Sequence, residues 1–266
     1  MNTLALPGAT LHYQVRGDGP LLLLLPGGDG DADSAVGLVD HLAAHFTVVT
    51  HDRRGLARSP LDDPSAVPAF AVHAQDALRL VEHLTDGPVA VVGFSLGALV
   101  GLDLLARHPD RVTTLVAHEP PATQLLPDAE REPAERAQEE VGELVESDGV
   151  AVAMQHFLSF AGMRFDEWED GAPRPTPAQR RPANLVAFLR LHAPQAHAHR
   201  VDLPAVLRHA DRLVPAAGAT STGFFPRRCA EELAAASGRE LSVFPGAHSG
   251  FLTHPAAFAD RLRAVL

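Results

Sequence analysis

The chain has 266 residues, 46% hydrophobic and 21% charged, a composition typical of a packed globular protein and not of a wholly disordered one. Its formal net charge of −11 disfavours nucleic acid as a partner, because most of the surface would repel a polyanion. A single cysteine, Cys229, excludes an internal disulfide framework and a cysteine-based zinc site.

The N-terminus has no positively charged region followed by a long apolar stretch, so no secretory signal is visible. The longest unbroken apolar run covers residues 21–26, which is far too short to cross a bilayer. We therefore expect a cytoplasmic protein that does not bind a membrane.

Short apolar segments alternate with longer amphipathic ones through most of the chain. Strands are predicted at residues 10–15, 21–25, 46–50, 89–93, 112–117, 213–217 and 241–244. Helices are predicted at residues 34–45, with Ser34 as N-cap, and at 70–84, 96–107, 226–237 and 255–266. Apolar strands that alternate with helices predict an α/β fold, a mostly parallel sheet covered on both faces.

The segment 120–200 breaks this alternation. It is predicted to form helices at residues 133–146, 150–160 and 178–191, with a proline-rich stretch at 172–177 before the last of them. We therefore expect residues 1–119 and 201–266 to form the α/β core, and residues 120–200 to form a helical cap over one end of the sheet.

The strongest functional motif is Gly93-Phe94-Ser95-Leu96-Gly97, a G-x-S-x-G sequence between a predicted strand and a predicted helix. A sharp strand-to-helix turn holds the serine in a strained conformation, and bulky neighbours would collide with the adjacent elements. Ser95 would then project at the helix N-terminus, where the Leu96 N–H and the positive helix end can stabilise an oxyanion. The motif predicts a serine nucleophile.

Over nearly its whole length the chain resembles the α/β-hydrolase superfamily, of the serine hydrolase or esterase type. Residues Asp52-Arg53-Arg54-Gly55-Leu56-Ala57-Arg58-Ser59 resemble the family's D-x-R-G-x-G-x-S loop, with alanine replacing the second glycine. Residues Pro26-Gly27-Gly28-Asp29-Gly30 occupy the place of its oxyanion loop, with proline where histidine is common. The resemblance implies that the Gly28 N–H is the second oxyanion donor, beside that of Leu96.

A serine hydroxyl needs a base that takes its proton, and the chain offers 15 histidines. His248 follows the strand predicted at 241–244, in the loop where the family places its catalytic histidine, and the order Ser…His agrees. His254 is interpreted as a capping or surface residue. A metal site at His197 and His199 lacks an obvious third ligand, so no metal is predicted.

The acid that orients the histidine is ambiguous in the sequence. Asp211 lies in a D-x-x-x-P pattern like the one the family has after its seventh strand, but here it comes before the strand predicted at 213–217. Ligand sites lie beyond the carboxyl ends of parallel strands, which is the position of Glu119 after the strand at 112–117. Some α/β hydrolases, including a branch of the haloalkane dehalogenases, carry their acid there. We favour Glu119, with Asp211 or neither residue as the alternatives.

These residues predict a serine hydrolase that cleaves a small-molecule carboxylic ester or lactone without a cofactor. Ser95 would be the nucleophile, His248 the base and Glu119 the acid, with Gly28 and Leu96 forming the oxyanion hole. One alternative is an amidase of the iminopeptidase type, which would need cap carboxylates to bind a substrate amine. Another is a non-hydrolytic binding or tailoring protein on the same fold. The sequence specifies neither the substrate nor the oligomeric state.

Overall fold

The computed structural model describes residues 2–174 and 182–266. Their strands are β1 (Asn2–Leu6), β2 (Ala9–Arg16), β3 (Leu21–Leu25), β4 (Thr47–His51), β5 (Val89–Phe94), β6 (Val112–His118), β7 (Leu213–Gly218) and β8 (Ser242–Phe244). These strands form an eight-stranded sheet in the order β1-β2-β4-β3-β5-β6-β7-β8. The pairs β1/β2 and β2/β4 are antiparallel and the other pairs are parallel.

The α-helices of the described residues are α1 (Val36–Leu42), α2 (Val72–Leu84), α3 (Leu96–Arg107), α4 (Asp128–Ser147), α5 (Val150–Ala161), α6 (Pro182–Ala187), α7 (Ala193–Ala198), α8 (Leu203–Leu207), α9 (Phe225–Ser237), α10 (Gly250–Thr253) and α11 (Pro255–Val265). Helices α6 and α7 are joined by a π-helical segment, Phe188–His192. The predicted start of a helix at 178–181 and the second half of the proline-rich stretch, residues 175–177, lie outside the described residues.

Helices cover both faces of the sheet, and the leucines of β3 show how. Leu23 and Leu25 belong to a core cluster with buried residues of α2 and α3, whereas Leu22 and Leu24 belong to a second cluster with residues of α1 and α11. Successive side chains of a strand point to opposite faces, so an uninterrupted apolar strand requires a cover on each side. The predicted fold class, a mostly parallel and doubly covered α/β sheet, is confirmed.

Two details at the N-terminal end differ from the prediction. Strand β1 was not expected; it forms an antiparallel hairpin with β2 around Pro7 and Gly8, and Gly8 has a φ of 80° that suits a tight turn. The predicted N-cap role of Ser34 was wrong. Helix α1 begins at Val36 with Ala35 at the N-cap position and no side-chain cap, and the Ser34 hydroxyl donates a hydrogen bond to Asp29.

Helices α4 to α7 lie between β6 and β7 in the chain, where a helical segment was expected. Helix α4 begins at Asp128, five residues before the predicted start, and accommodates Pro133 inside it. The π-helical segment ends directly before α7, whose second residue, Pro194, lacks the N–H of a regular helix. Among the helices described, none combines the length and the apolar character that crossing a bilayer requires.

Candidate active site

Ser95 occupies a strained turn between β5 and α3. Its backbone has φ 51° and ψ −114°, a conformation that side-chain-bearing residues rarely adopt outside functional sites. The flanking glycines allow the turn to pack closely, since a Cβ on Gly93 would lie 2.4 Å from the Gly97 carbonyl oxygen and one on Gly97 would lie 2.1 Å from that of Leu25. The predicted strand–turn–helix setting of Ser95 is what the structure shows.

Glu119 and His248 form a buried pair at the carboxyl edge of the sheet. The carboxylate lies directly after β6, is fully buried, and accepts a hydrogen bond at 2.6 Å from Nδ1 of His248, which follows β8. Its other oxygen accepts hydrogen bonds from the Gly218 N–H, at 2.8 Å, and from the Ser221 hydroxyl. Glu119 itself has a strained φ of 48°. This arrangement fixes both the position and the tautomer of the imidazole, leaving Nε2 for other partners.

The electrostatics favour an ionised Glu119. Burial alone would raise the pKa of this carboxyl. The hydrogen bond with His248, the charges of His248 and His118 and the hydrogen bond from Ser221 outweigh that effect and lower the pKa to about 2. The group is therefore a carboxylate at neutral pH, which is the form that stabilises an imidazolium ion.

Strand β6 links Ser95 to this pair. The Ser95 N–H donates to the carbonyl of His118 at 2.9 Å, and the next residue is Glu119. The Ser95 hydroxyl and the His248 ring share no hydrogen bond within residues 2–174 and 182–266. Catalytic hydrogen bonds in ligand-free enzymes are often long and tighten only when substrate is bound. The three side chains therefore share one edge of the sheet without being a closed chain of hydrogen bonds.

Asp211 does not share that edge. It is exposed in a short 3₁₀ turn before β7, whereas Glu119 and His248 follow the carboxyl ends of their strands. His197 and His199 lie near other carboxylates. His199 Nε2 is 2.8 Å from Asp103 Oδ2, and His197 Nε2 is 3.5 Å from Glu139. The described residues contain no group of three or more side chains suited to a metal ion.

The loop that contains Gly27 and Gly28 lies beside Ser95. A Cβ on Gly27 would lie in ordinary contact 4.0 Å from Cβ of Ser95, whereas one on Gly28 would be 2.6 Å from the ring of Phe188, so a side chain at Gly28 would require Phe188 to move. In the part of the chain that the structure describes, the N–H groups of Gly28 and Leu96 donate no hydrogen bond. Among the described residues, both predicted oxyanion donors therefore lack an acceptor.

Three residues around the site were not identified from the sequence. Ser221 donates to Glu119, Phe188 covers Gly28, and Asn184 bridges two loops by accepting from the Ala57 N–H and donating to the Asp29 carbonyl. Ser221 lies beyond the carboxyl end of β7, so its location was a usable signal. Phe188 and Asn184 come from the helical segment between β6 and β7, and nothing in their local sequence indicates what they contact.

His118 is a buried polar residue that the site does not use. Neither of its ring nitrogens has a hydrogen-bond partner in the described residues, and the ring lies against Phe244 and Phe258. Burial lowers its pKa to about 4, with Glu119 opposing and His248 reinforcing the shift. Between pH 6.5 and 4 the unfolded chain binds a proton here that the native protein does not, so stability falls as the pH falls.

We expect His118→Phe to weaken this dependence of the free energy of unfolding on pH. The free energy of unfolding of the natural protein should drop between pH 7 and pH 5, and the drop should be about 2 kcal/mol smaller in the variant. Urea unfolding at both pH values measures the difference. His83→Phe is the control, because it removes an imidazole from an exposed position. Equal slopes in the natural protein and His118→Phe would contradict the assignment of a neutral, buried His118.

The family model described as the alpha/beta hydrolase fold matches residues 20–255 of this chain. The chain belongs to the α/β-hydrolase family. The uncharacterized hydrolase YraK of Bacillus subtilis (strain 168) is 35% identical over 268 residues, which cover 99% of this chain and 95% of that protein. The chain is therefore a hydrolase of this family.

Two solved structures share the fold of this α/β hydrolase. A hydrolase from Pseudomonas aeruginosa PA01 has a TM-score of 0.70 at 23% identity, covering 99% of this chain and 97% of that one. A thermophilic esterase from Thermogutta terrifontis has a TM-score of 0.73 at 20% identity, covering 99% of this chain and 95% of that one. At these identities the likeness establishes the architecture alone.

Proposed function

We propose that this α/β hydrolase cleaves a carboxylic ester or lactone through an acyl-enzyme. Ser95 Oγ attacks the carbonyl carbon while His248 Nε2 takes its proton, and the carbonyl electrons move onto the oxygen. The N–H groups of Gly28 and Leu96 bind this oxyanion. Collapse expels the alcohol, which His248 protonates. Water, deprotonated by His248, then attacks the acyl-enzyme, and the acid leaves with Ser95 restored.

One observation carries this proposal: the buried Glu119 carboxylate accepts a 2.6 Å hydrogen bond from His248 Nδ1 at the edge where Ser95 stands in its strained turn. A carboxylate in this position holds the imidazole in the tautomer that can accept a proton at Nε2 and stabilises the cation that results. The N–H groups of Gly28 and Leu96, which donate to no acceptor within residues 2–174 and 182–266, supply the complementary oxyanion site. The Thermogutta terrifontis structure is described as an esterase, which agrees with this chemistry.

The scissile bond is tested by comparing three substrate classes on the purified protein. We expect turnover of p-nitrophenyl butyrate or of a γ-lactone, with kcat/KM above that for proline p-nitroanilide. Amide cleavage requires His248 to protonate the departing amine fully. Ester cleavage releases an alkoxide, which is a better leaving group, so we expect it to be faster. Preference for the anilide would replace the proposal with an amidase of the iminopeptidase type, and inertness toward all three would favour a binding protein.

A further inference from the structure

The loop that carries Gly28 is held from behind by a buried arginine. The Arg53 guanidinium is 3% exposed, and its Nη2 donates to the carbonyls of Pro26 at 2.7 Å and Gly27 at 2.5 Å. Its Nη1 donates to the Gly28 carbonyl at 3.4 Å. Three consecutive carbonyls therefore accept hydrogen bonds from one side chain, which follows Asp52 in the loop after β4.

No carboxylate of the described residues lies within ion-pair distance of Arg53, although Asp29 contributes to its electrostatic field. Burial of a guanidinium without a paired carboxylate costs stability, so packing alone does not account for it. Burial lowers its pKa only to about 10, which leaves it charged at neutral pH. A full positive charge is thus retained directly behind the loop.

The neighbouring histidines do not share this charge. His51 on β4, His73 on α2 and His192 of the π-helical segment are all buried around Arg53. Burial, reinforced by the arginine, lowers the pKa of His51 to about 4 and that of His192 to about 3, and it lowers the pKa of His73 well below its usual value. All three are neutral at neutral pH, so Arg53 supplies the positive charge behind this loop.

The geometry of the peptide unit gives this contact a consequence at Ser95. The carbonyl of Gly27 and the N–H of Gly28 belong to one peptide plane, and in a trans peptide they point in opposite directions. A cation that fixes and polarises the carbonyl therefore aims the N–H away from itself and makes it a stronger donor. The Gly30 N–H also donates to the Gly27 carbonyl, at 3.2 Å, which further restricts rotation of this plane.

We propose that Arg53 is a positioning residue of the oxyanion hole, which orients the peptide plane of Gly27 and Gly28 so that the Gly28 N–H meets the developing oxyanion. This inference rests on the proposed function. It assigns to Arg53 an effect on the transition state and little effect on substrate binding, because the oxyanion forms only during reaction.

A matched pair of variants tests it: Arg53→Lys and Arg54→Lys. Arg54 is an adjacent, similarly buried arginine that bonds to Asp76 and the Pro7 carbonyl and, among the described residues, makes no hydrogen bond to the oxyanion loop. Each lysine keeps the charge but cannot span several acceptors. Arg53→Lys should lower kcat by about 10- to 100-fold, less than the 10²–10³ of losing a donor outright, with KM changed by less than about threefold. Arg54→Lys should lower the thermal midpoint but keep kcat within about threefold of the natural value.

A second readout separates positioning from folding. The rate constant for phosphonylation of Ser95 by a fluorophosphonate, normalised to folded protein, should fall in Arg53→Lys by the same factor as kcat, because phosphonylation also develops charge on an oxygen. If Arg53→Lys does not fold, Arg53→Gln replaces it in both measurements. Unchanged kcat in both Arg53 variants, or parallel losses in Arg53→Lys and Arg54→Lys, would overturn the inference while leaving the hydrolase function intact. A natural protein inert to esters and to the probe would overturn both.

Discussion

Replacing Ser95 with alanine is expected to lower kcat for ester hydrolysis by a factor on the order of 10⁶, the largest effect of any single change in this protein. The acyl-enzyme cannot form without the hydroxyl, and the oxyanion hole and substrate binding alone leave only a small rate enhancement over water. Steady-state kinetics on p-nitrophenyl butyrate, with the thermal midpoint as a check of folding, measure the loss.

Ser95→Gly provides a matched control for the strained turn. Both variants lack the nucleophile, but glycine adopts a φ of 51° at little steric cost, so Ser95→Gly should be more stable than Ser95→Ala by about 1 kcal/mol. Activity that persists in both variants would show that hydrolysis does not pass through Ser95. Equal stability of the two would show that the turn is not strained as the backbone angles indicate.

Replacing Glu119 with glutamine should lower kcat by about 10⁴-fold while KM changes little. The amide keeps the size of the side chain, but it presents a neutral group to His248 Nδ1 and no longer stabilises the imidazolium ion. The ionised carboxylate also stabilises the native protein, so its loss removes a pH-dependent term from the free energy of unfolding. Its pKa of about 2 lies below the usual 4.5, so the term is present above pH 4.5 and disappears as the pH falls toward 2.

Asp211→Asn is the control for this change, since Asp211 has the same kind of carboxylate in an exposed position before β7. Its kcat should stay within about twofold of the natural protein, because surface substitutions away from special features have small effects. Should Asp211→Asn lose activity while Glu119→Gln retains it, the assignment of the acid would be wrong and the buried pair with His248 would be structural.

The elements of the sheet followed from the sequence where apolar pattern and turn chemistry agreed. Helix α3 was predicted with its observed bounds, Leu96–Arg107, because the turn at Ser95 marks where it begins and its apolar residues mark its extent. Strand β1 was missed since it is an edge strand with several exposed residues, and so it lacks the continuous apolar run of the central strands. The π-helical segment was not predicted; it ends directly before α7, where Pro194 lacks the N–H of a regular helix.

The reacting residues could be proposed from their positions relative to strand ends, because parallel strands bring their carboxyl ends together. The groups that act on the reacting residues through backbone atoms could not be proposed from the sequence. Arg53 stood inside a motif as a variable position, and only the structure shows that it contacts the carbonyls of Pro26 and Gly27. Asn184 and Phe188 reach the site across more than 120 residues of chain, a separation at which local pattern gives no information about contact.

The proposed catalysis requires Ser95 and His248 to act together, and fluorophosphonate labelling followed by peptide mass spectrometry tests this directly. We predict one adduct, on the peptide that contains Ser95, forming at least about 10³-fold more slowly in His248→Asn than in the natural protein. An adduct on another residue, or labelling of Ser95 at the same rate in His248→Asn, would contradict the account.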